Sequence, residues 1–328
     1  MASNFTSQTH NSFLNPNKRN KKSIFLHYTS PEEVVKTIKK LKNRGGGIDN
    51  IHSSALKIIC QYISLPLSNI INECIFCGTW PDCLKKAEVV PIYKSGEHTD
   101  VNNYRPISLV SNIAKVFEKI VHTRITAFLN KTDRINTKQF GFLKKKSTVQ
   151  ALDEVFDVIY NGIDENKSSA ASFIDLKKAF DTVDHQILLQ KLNYNGIRGL
   201  PLELLKSYLT NRTQKVKIHE IHSNEGNINL GIPQGTILGP LLFLIYINDI
   251  FEIFPLVYAF ADNPTVSCIE KNWSALEVKM NNKLLLLNEW FYINKLTVNV
   301  QKTDLLTFGR YFDSVPDNID ILLNGSLI

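Results

Sequence analysis

Two aspartates stand where an apolar strand is expected to give way to a turn. Asp175 follows Phe173-Ile174, and Asp262 follows the apolar segment 256–261. Carboxylates at the ends of two neighbouring strands can hold hard cations through oxygen, and a pair of such cations promotes in-line displacement at phosphorus. Aspartate is also a common turn residue, so either acid alone is explained by turn formation. The pair predicts a metal-dependent site only if other segments support it.

A glycine-rich loop at residues 231–240 is the second segment with potential chemistry. Its sequence is GIPQGTILGP. Glycine lets a backbone approach a ligand closely, and proline is favoured in the first turn of a helix. We therefore expect a loop that can line a ligand pocket and a helix that begins at Pro240.

The composition is that of a globular protein with a basic balance. Of the 328 residues, 43% are hydrophobic and 21% are charged, and the formal net charge is +7. This balance permits nucleic-acid binding without requiring it. The run Lys144-Lys145-Lys146 is either a solvated face or a site for template phosphates, each of which would add salt-sensitive affinity.

No segment has the pattern of a secretory signal or a membrane span. Residues 1–22 are polar, and the longest apolar candidate, 240–261, is interrupted by Asn248, Asp249 and Glu252. The uninterrupted part of that candidate is too short to cross a bilayer. The sequence predicts a soluble intracellular protein, in the nucleus or the cytoplasm, without a membrane partner.

The cysteines favour a structural role over a metal site. Their number, five, is odd, and there is no secretory signal, which argues against a disulfide framework. Cys74, Cys77 and Cys83 are close enough in sequence to suggest zinc, but no second ligand pair follows at finger spacing. We expect core cysteines.

Hydrophobic periodicity and turn residues predict a chain that mixes helices with strands. Predicted helices cover residues 30–42, 53–75, 113–129, 149–161, 186–194, 201–209, 240–251 and 273–290. Predicted strands cover residues 86–93, 172–176, 214–219, 226–230 and 303–308, with a strand-turn-strand unit at 256–268. This order predicts an α+β fold with an antiparallel sheet.

Six ordered segments carry a resemblance to a known family. They are Asn103-Tyr104-Arg105-Pro106-Ile107-Ser108-Leu109, Gln139-Phe140-Gly141-Phe142, Phe173 to His185, Gly231 to Asp249, Phe260-Ala261-Asp262, and Trp290 to Phe308. Together they resemble the reverse transcriptase of non-LTR (LINE-type, jockey-like) retrotransposons, over roughly residues 30–328. The last segment includes Leu296, Asn299, Lys302 and Thr303.

The resemblance implies a right-hand polymerase fold. It comprises fingers and a palm with an antiparallel palm sheet, and the thumb is absent or truncated. Residues 1–25 are expected to be a disordered polar segment and 26–84 a helical extension. Residues 85–328 are expected to form fingers (mainly 85–165) and palm (mainly 170–310). Family members usually carry an endonuclease before the polymerase and a thumb after it, and neither is expected here.

The resemblance also implies roles around a catalytic metal site. Asp175 and Asp262 match the aspartates that bind two Mg²⁺ ions, and Asp181 matches a further family acid. Phe180 matches the aromatic steric gate that selects deoxynucleotides, although simple core packing is the alternative. Gln234 matches a residue of the nucleotide pocket.

Two basic residues complete the implied site. Arg105 matches a fingers residue that faces template or triphosphate, and a guanidinium suits phosphate bidentately. Lys302 matches a lysine that protonates the leaving pyrophosphate, and a plain surface lysine is the equal alternative. In this fold Lys144, Lys145 and Lys146 would meet template phosphates.

Three positions depart from the family pattern. Asn263 stands where a second aspartate of the turn belongs, so it offers a degenerate metal-ligand position without charge. Pro264 replaces a small polar residue and removes a backbone donor, so we expect a disturbed hairpin. Leu143 replaces an arginine that lies beside the triphosphate in the family.

The functional prediction is an RNA-directed DNA polymerase whose activity is impaired by Asn263. Its expected partners are an RNA template, a DNA primer and deoxynucleoside triphosphates. The alternatives are a non-catalytic nucleic-acid-binding remnant and a decayed element fragment.

Overall fold

The structure, a computed structural model, describes residues 14–43, 45–309 and 319–328. Contacts between Cα atoms divide the chain into two compact units. The first contains residues 135–183 and 244–328 together with the stretch up to Lys18, and the second contains residues 19–134 and 184–243. Each unit is therefore assembled from segments that are distant in sequence.

Helices and strands are interspersed along the chain, as the periodicity predicts. The helices are α1 (Pro31–Lys39), α2 (Ser53–Cys77), α3 (Asn112–Lys131), α4 (Thr148–Asp164), α5 (His185–Tyr194), α6 (Leu200–Leu209), α7 (Leu238–Ile247), α8 (Ile250–Ile253) and α9 (Trp273–Ile293). The longer strands are β1 (Lys86–Tyr93), β2 (Tyr104–Val110), β3 (Ser168–Phe173), β5 (Arg212–Ile218), β8 (Val257–Phe260), β9 (Asn263–Glu270) and β11 (Asp304–Phe308). The shorter strands are β4 (Leu176–Lys177), β6 (Ile221–His222), β7 (Gly226–Ile228), β10 (Thr297–Val298), β12 (Leu322–Leu323) and β13 (Ser326–Leu327).

The first unit is built on an antiparallel sheet with the order β11-β3-β9-β8. Helices α4 and α9 pack on it. A cluster that includes Phe140, Val155 and Ile159 forms part of its core against Ala171 and Tyr258. The predicted α+β class with an antiparallel sheet is confirmed for this unit.

The second unit contains a mixed sheet. β1 pairs antiparallel with β2 and parallel with β5, and β5 also pairs with β6 and β7. The strands predicted at 214–219 and 226–230 therefore form and pair antiparallel as β5 and β7. Helix α1 begins at Pro31, one residue from the predicted start, and the Ser30 side chain caps it by accepting from the Glu33 backbone N–H.

Two predicted elements are interrupted in the structure. The strand expected at 172–176 ends at Phe173, and Leu176 pairs instead with Val298 of β10. The helix expected at 240–251 is split because the buried side chains of Asn248 and Asp249 accept hydrogen bonds from distant segments. Tertiary partners override the local pattern at both breaks.

The N-terminal segment is ordered where it is described. Residues 1–13 of the segment expected to be disordered lie outside the described residues. From Asn20 the chain is held, because the Asn20 and Ile24 N–H groups donate to Tyr194 and Gly196 carbonyls at 3.0 and 2.9 Å. A Cβ at position 196 would lie 2.4 Å from the Lys22 carbonyl oxygen, so glycine is required there.

Helix α2 is apolar on more than one face. Among the described residues it is the one helix whose length and composition would suffice to cross a membrane, and 28% of its most apolar window is buried. Its buried residues recur every three or four positions, from Leu56 to Ile75. This spacing is typical of a helix that packs one face on a protein, and α2 contacts α1 and α6.

The cysteine prediction is right in part. Cys60 and Cys268 are buried, whereas Cys77 and Cys83 are exposed. The expectation of core cysteines is therefore wrong for the latter two, since Cys77 lies in the last turn of α2 and Cys83 in the short turn that follows the helix.

Candidate active site

Asp175 is fixed by backbone and side-chain hydrogen bonds just beyond β3. Its N–H donates to Thr303 Oγ1 at 3.4 Å, and its carbonyl accepts from the Asn299 N–H at 2.8 Å. The Asn299 side chain also donates to Asp175 Oδ2 at 2.9 Å. Asn299 therefore orients the carboxylate from a segment 124 residues away.

Asp262 lies in the two-residue turn between β8 and β9. Phe260 pairs with Asn263, so Ala261 and Asp262 form the turn. We call this pair the acidic turn. Ala261 has a φ of 60°, and a positive φ at the first turn position suits the twist of a tight hairpin.

Strand pairing brings the two aspartates to the same end of the sheet. β3 and β9 are neighbours, with Phe173 opposite Thr265, and the Ile174 N–H donates to the Pro264 carbonyl at 3.0 Å. Continuing this register sets Asp175 opposite Asn263, and opposed residues of an antiparallel pair share one face. Asp175 thus lies just beyond β3, opposite Asn263, the residue that directly follows Asp262.

Pro264 is accommodated without disturbing the hairpin. It pairs with Ala259 of β8, whose own N–H and C=O bond to Lys138 and Phe140 on the other side. The side of Pro264 that faces β8 therefore needs no donor. The expected disturbance of the hairpin is wrong, and the cost of the proline is one N–H missing from the β3 side.

The candidate metal ligands at this end of the sheet are all oxygen atoms, but one of the three side chains is an amide where the family has a carboxylate. Asp175 and Asp262 are partly buried and Asn263 is exposed. Over residues 14–43, 45–309 and 319–328, no group of three or more His, Cys, Asp or Glu side chains is arranged to hold a metal ion. Two carboxylates and one amide oxygen are the kind of ligands that a hard divalent cation takes, so the residues fit such an ion.

Phe180 lies in the segment after β4, five residues beyond Asp175. It is partly buried, and its ring packs edge-to-face on Phe142 with centroids 5.8 Å apart. Phe142 is 52% exposed. Phe180 is therefore not a fully enclosed core residue, and its edge-to-face partner is a residue of the sequence segment at 139–142. The neighbouring acid Asp181 donates its backbone N–H to the Lys178 carbonyl at 2.8 Å.

Lys302 stands between the two residues that hold Asp175. Its N–H donates to the Asn299 carbonyl at 3.0 Å, Thr303 follows it, and the Lys302 side chain is exposed. This position agrees equally with a surface lysine and with a group that reaches a ligand.

The three lysines at residues 144–146 differ in their contacts with the rest of the chain. Lys146 Nζ donates to the Thr137 carbonyl at 3.0 Å and lies 4.2 Å from the centre of the Phe140 ring. Lys144 and Lys145 are exposed. Lys146 thus has a local structural role that the sequence did not predict.

Gln234 and Arg105 belong to the second unit. The Gln234 carbonyl accepts from the Ser108 N–H at 2.8 Å, and Gly235, with φ of 99°, packs on Ser108 so closely that a Cβ would lie 2.9 Å from its oxygen. Arg105 is exposed on β2, opposite Ile92. The glycine loop is therefore held against β2, the strand that carries Arg105.

Sequence reasoning missed the residue that anchors this loop. Glu118 of α3 is 1% exposed, and its Oε2 accepts from the N–H groups of Ile237 and Leu238 at 2.5 and 3.2 Å. Burial raises the pKa of this carboxyl, which also accepts from the Tyr208 hydroxyl at 3.4 Å. An acid on the otherwise apolar face of a predicted helix was the available signal.

An α+β fold with acids just beyond two neighbouring antiparallel strands is the arrangement that the resemblance to a polymerase predicts. A solved structure of apo telomerase from Candida tropicalis, truncated from its C-terminal domain, shares this fold. Its TM-score is 0.51 at 14% identity, over 69% of this chain and 50% of that chain.

The family described as reverse transcriptase (RNA-dependent DNA polymerase) matches residues 92–322. The chain belongs to this family and is a reverse transcriptase domain of the non-LTR mobile-element type. It is 28% identical over 320 residues to the RNA-directed DNA polymerase from mobile element jockey of Drosophila melanogaster, covering 93% of this chain and 34% of that protein. It is 33% identical to the probable RNA-directed DNA polymerase from transposon X-element of the same species, covering 67% of this chain and 24% of that protein. The chain spans about a third or less of the length of these relatives.

Proposed function

We propose that this chain catalyses RNA-templated DNA synthesis, weakly, through a reduced metal site. The observation that carries the proposal is the pairing of β3 with β9, because this register sets Asp175 beside the acidic turn. Its partners are an RNA template, a DNA primer and deoxynucleoside triphosphates, in the nucleus or the cytoplasm. The antiparallel sheet of the first unit serves as the palm, within residues 170–310, and residues 85–165 serve mainly as fingers.

Asp175 and Asp262 would hold Mg²⁺, with Asn263 contributing an uncharged oxygen. When bound, two Mg²⁺ ions help to deprotonate the primer 3′-hydroxyl and neutralise charge on the leaving pyrophosphate. Asn299 keeps the Asp175 carboxylate aimed, since its side chain donates to Oδ2. The missing carboxylate at position 263 weakens metal binding and lowers the rate.

The remaining residues bind and orient the substrates. Phe180 lies under the sugar and excludes a 2′-hydroxyl, while Gln234 lines the nucleotide pocket. Arg105 pairs with phosphate through its guanidinium. Lys302 donates a proton to pyrophosphate, and the exposed Lys144 and Lys145 contact template phosphates.

Primer extension on an RNA template tests the proposal. The natural chain is compared with the Asn263→Asp/Pro264→Thr double variant, and the latter is expected to extend primer faster because it regains a carboxylate ligand. Asp153→Asn, a change at an exposed position of α4, is the matched control. Absence of extension by both the natural chain and the double variant, with cooperative melting retained, would overturn the proposal.

A second function, nucleic-acid binding without catalysis, is favoured by the same asparagine together with the net charge of +7. It predicts binding to an RNA–DNA hybrid that weakens steeply with salt. A salt-independent affinity would contradict it. The third reading, a decayed fragment, predicts an early and non-cooperative thermal transition.

A further inference from the structure

The side chain of Gln139 is buried beneath the acidic turn. It is 1% exposed. Its Oε1 accepts from the N–H groups of Gly141 and Ala261 at 2.8 and 3.1 Å, and its Nε2 lies 3.5 Å from the Ala261 carbonyl oxygen. One side-chain amide thus binds both backbone groups of the residue that precedes Asp262.

The backbone around Gln139 runs alongside β8. The Ala259 N–H donates to the Lys138 carbonyl at 3.0 Å, and the Phe140 N–H donates to the Ala259 carbonyl at 2.8 Å. Gln139 and Ala259 form a parallel bridge. Residues 138–140 therefore flank β8 on the side that β9 leaves open, and they fix where the Gln139 side chain enters.

The turn needs this support because its first residue is strained. Ala261 has a φ of 60°, and the left-handed conformation is unfavourable for a residue that carries a Cβ. The support also requires close approach, since a Cβ at Gly141 would lie 2.1 Å from the Ala261 nitrogen. Glycine at 141 and the amide at 139 therefore act as one clamp on Ala261.

We propose that Gln139 is a positioning residue that sets the conformation of the acidic turn and so aims the Asp262 carboxylate. Gln139 itself touches neither metal nor substrate. The inference rests on the proposed function only where it treats the turn as a metal site. The clamp itself is a property of the backbone and is measurable without any ligand.

Amide hydrogen exchange over residues 259–265 tests the clamp directly. Gln139→Met keeps the length of the side chain and removes its hydrogen bonds. Loss of one net hydrogen bond of about 1.4 kcal/mol makes opening about tenfold easier. We therefore expect about tenfold faster exchange at Ala261, with peptides of β1 and β5 unchanged. Gln61→Met, which removes an exposed glutamine of α2 in the second unit, is the matched control and leaves the turn protected.

A conservative variant separates positioning from general folding. Gln139→Glu in its protonated form, which burial favours, keeps an oxygen that accepts from Gly141 and Ala261 and an O–H that can donate to the Ala261 carbonyl. Most of the protection is therefore expected to return at acidic pH. Natural exchange at the turn in a folded Gln139→Met chain would overturn the inference. Global unfolding by both Gln139→Met and Gln139→Glu would also overturn it, because it would assign Gln139 to general stability.

Mn²⁺ titration followed by electron paramagnetic resonance tests the consequence for the site. In the Asn263→Asp background, Gln139→Met is expected to weaken Mn²⁺ about tenfold, as loss of outer support does at metal sites. If that background binds no Mn²⁺, the metal part of the proposed function fails, while the exchange experiment still decides the role of Gln139.

Discussion

The acidic turn of the first unit and the glycine loop of the second unit differ in the solvent exposure of their important side chains. The loop is anchored from within by Glu118, a fully enclosed carboxylate. The turn is supported from within by Gln139, but it is directly followed by Asn263, which faces solvent. The departure from the family pattern at Asn263 is therefore exposed, whereas the buried supports of both regions have complete hydrogen bonds to the backbone they hold.

This difference indicates that catalytic activity and folding stability can be lost independently in this chain. A substitution at an exposed ligand position leaves every backbone hydrogen bond of the hairpin in place. A substitution at a buried anchor leaves backbone donors unpaired, which costs the full desolvation penalty. We therefore expect the turn to govern activity and the loop anchor to govern stability.

The largest effect should come from the turn. In the Asn263→Asp/Pro264→Thr background, Asp262→Asn is expected to lower primer extension by about 10³-fold, because several kcal/mol of transition-state stabilisation depends on the metal. The denaturation midpoint should hardly move. Equal extension rates with and without Asp262→Asn, measured on one RNA template, would contradict the expectation that the turn governs activity.

The next effect should come from the anchor. Glu118→Ala is expected to lower the free energy of unfolding by about 3 kcal/mol, since it leaves the Ile237 and Leu238 N–H groups unpaired in the interior. Glu203→Ala on the exposed face of α6 is the matched control and should change it by less than about 0.5 kcal/mol. Urea denaturation followed by circular dichroism measures both. A loss no greater than that of the control would show that the loop is held by something else.

The pH dependence of stability adds a second test of Glu118. Burial raises its pKa in the folded state, so the folded chain holds this proton more tightly than the unfolded chain. The stability that this group contributes is complete below its ordinary pKa of 4.5 and declines as the pH rises through the higher folded value. Glu118→Gln should remove this decline, and identical pH profiles for the two chains would contradict the assignment.

A smaller effect is expected from the residue that aims Asp175. Asn299→Ala removes the side-chain donor to Oδ2 and should weaken Mn²⁺ about tenfold in the Asn263→Asp background. Asn282→Ala on the exposed side of α9 is the control. If neither variant changes the affinity for Mn²⁺, the orientation of the Asp175 carboxylate depends on the backbone hydrogen bonds of Asp175 alone.

The smallest effect should come from Pro264→Thr. It restores a ladder N–H worth about 1 kcal/mol but frees the unfolded chain by about 0.4–1 kcal/mol, so the two terms nearly cancel. Stability should change by less than about 1 kcal/mol, with the turn amides as protected as before. A loss above about 2 kcal/mol would mean that the proline supports the hairpin.

Much of the fold could be predicted because its signals are local. The boundaries of α1, α4 and β1 follow from capping residues and periodicity, and the structure differs from the predicted bounds by only a few residues. β3 was harder to predict, because its SSAASF sequence is buried on both faces and shows no alternation. The interruption of the helix at Asn248-Asp249 was also not predicted, because its cause is hydrogen bonding to two donors that are distant in sequence.

The sequence by itself determined the family, the α+β class and the acids at the strand ends, because short motifs and periodicity are written in neighbouring residues. Only the tertiary structure decided how those acids are supported. Gln139 under Ala261, Asn299 beside Asp175 and the tolerated Pro264 all depend on which strand lies next to which, and in which register. Register is set by contacts between residues far apart in the chain, which no local pattern records.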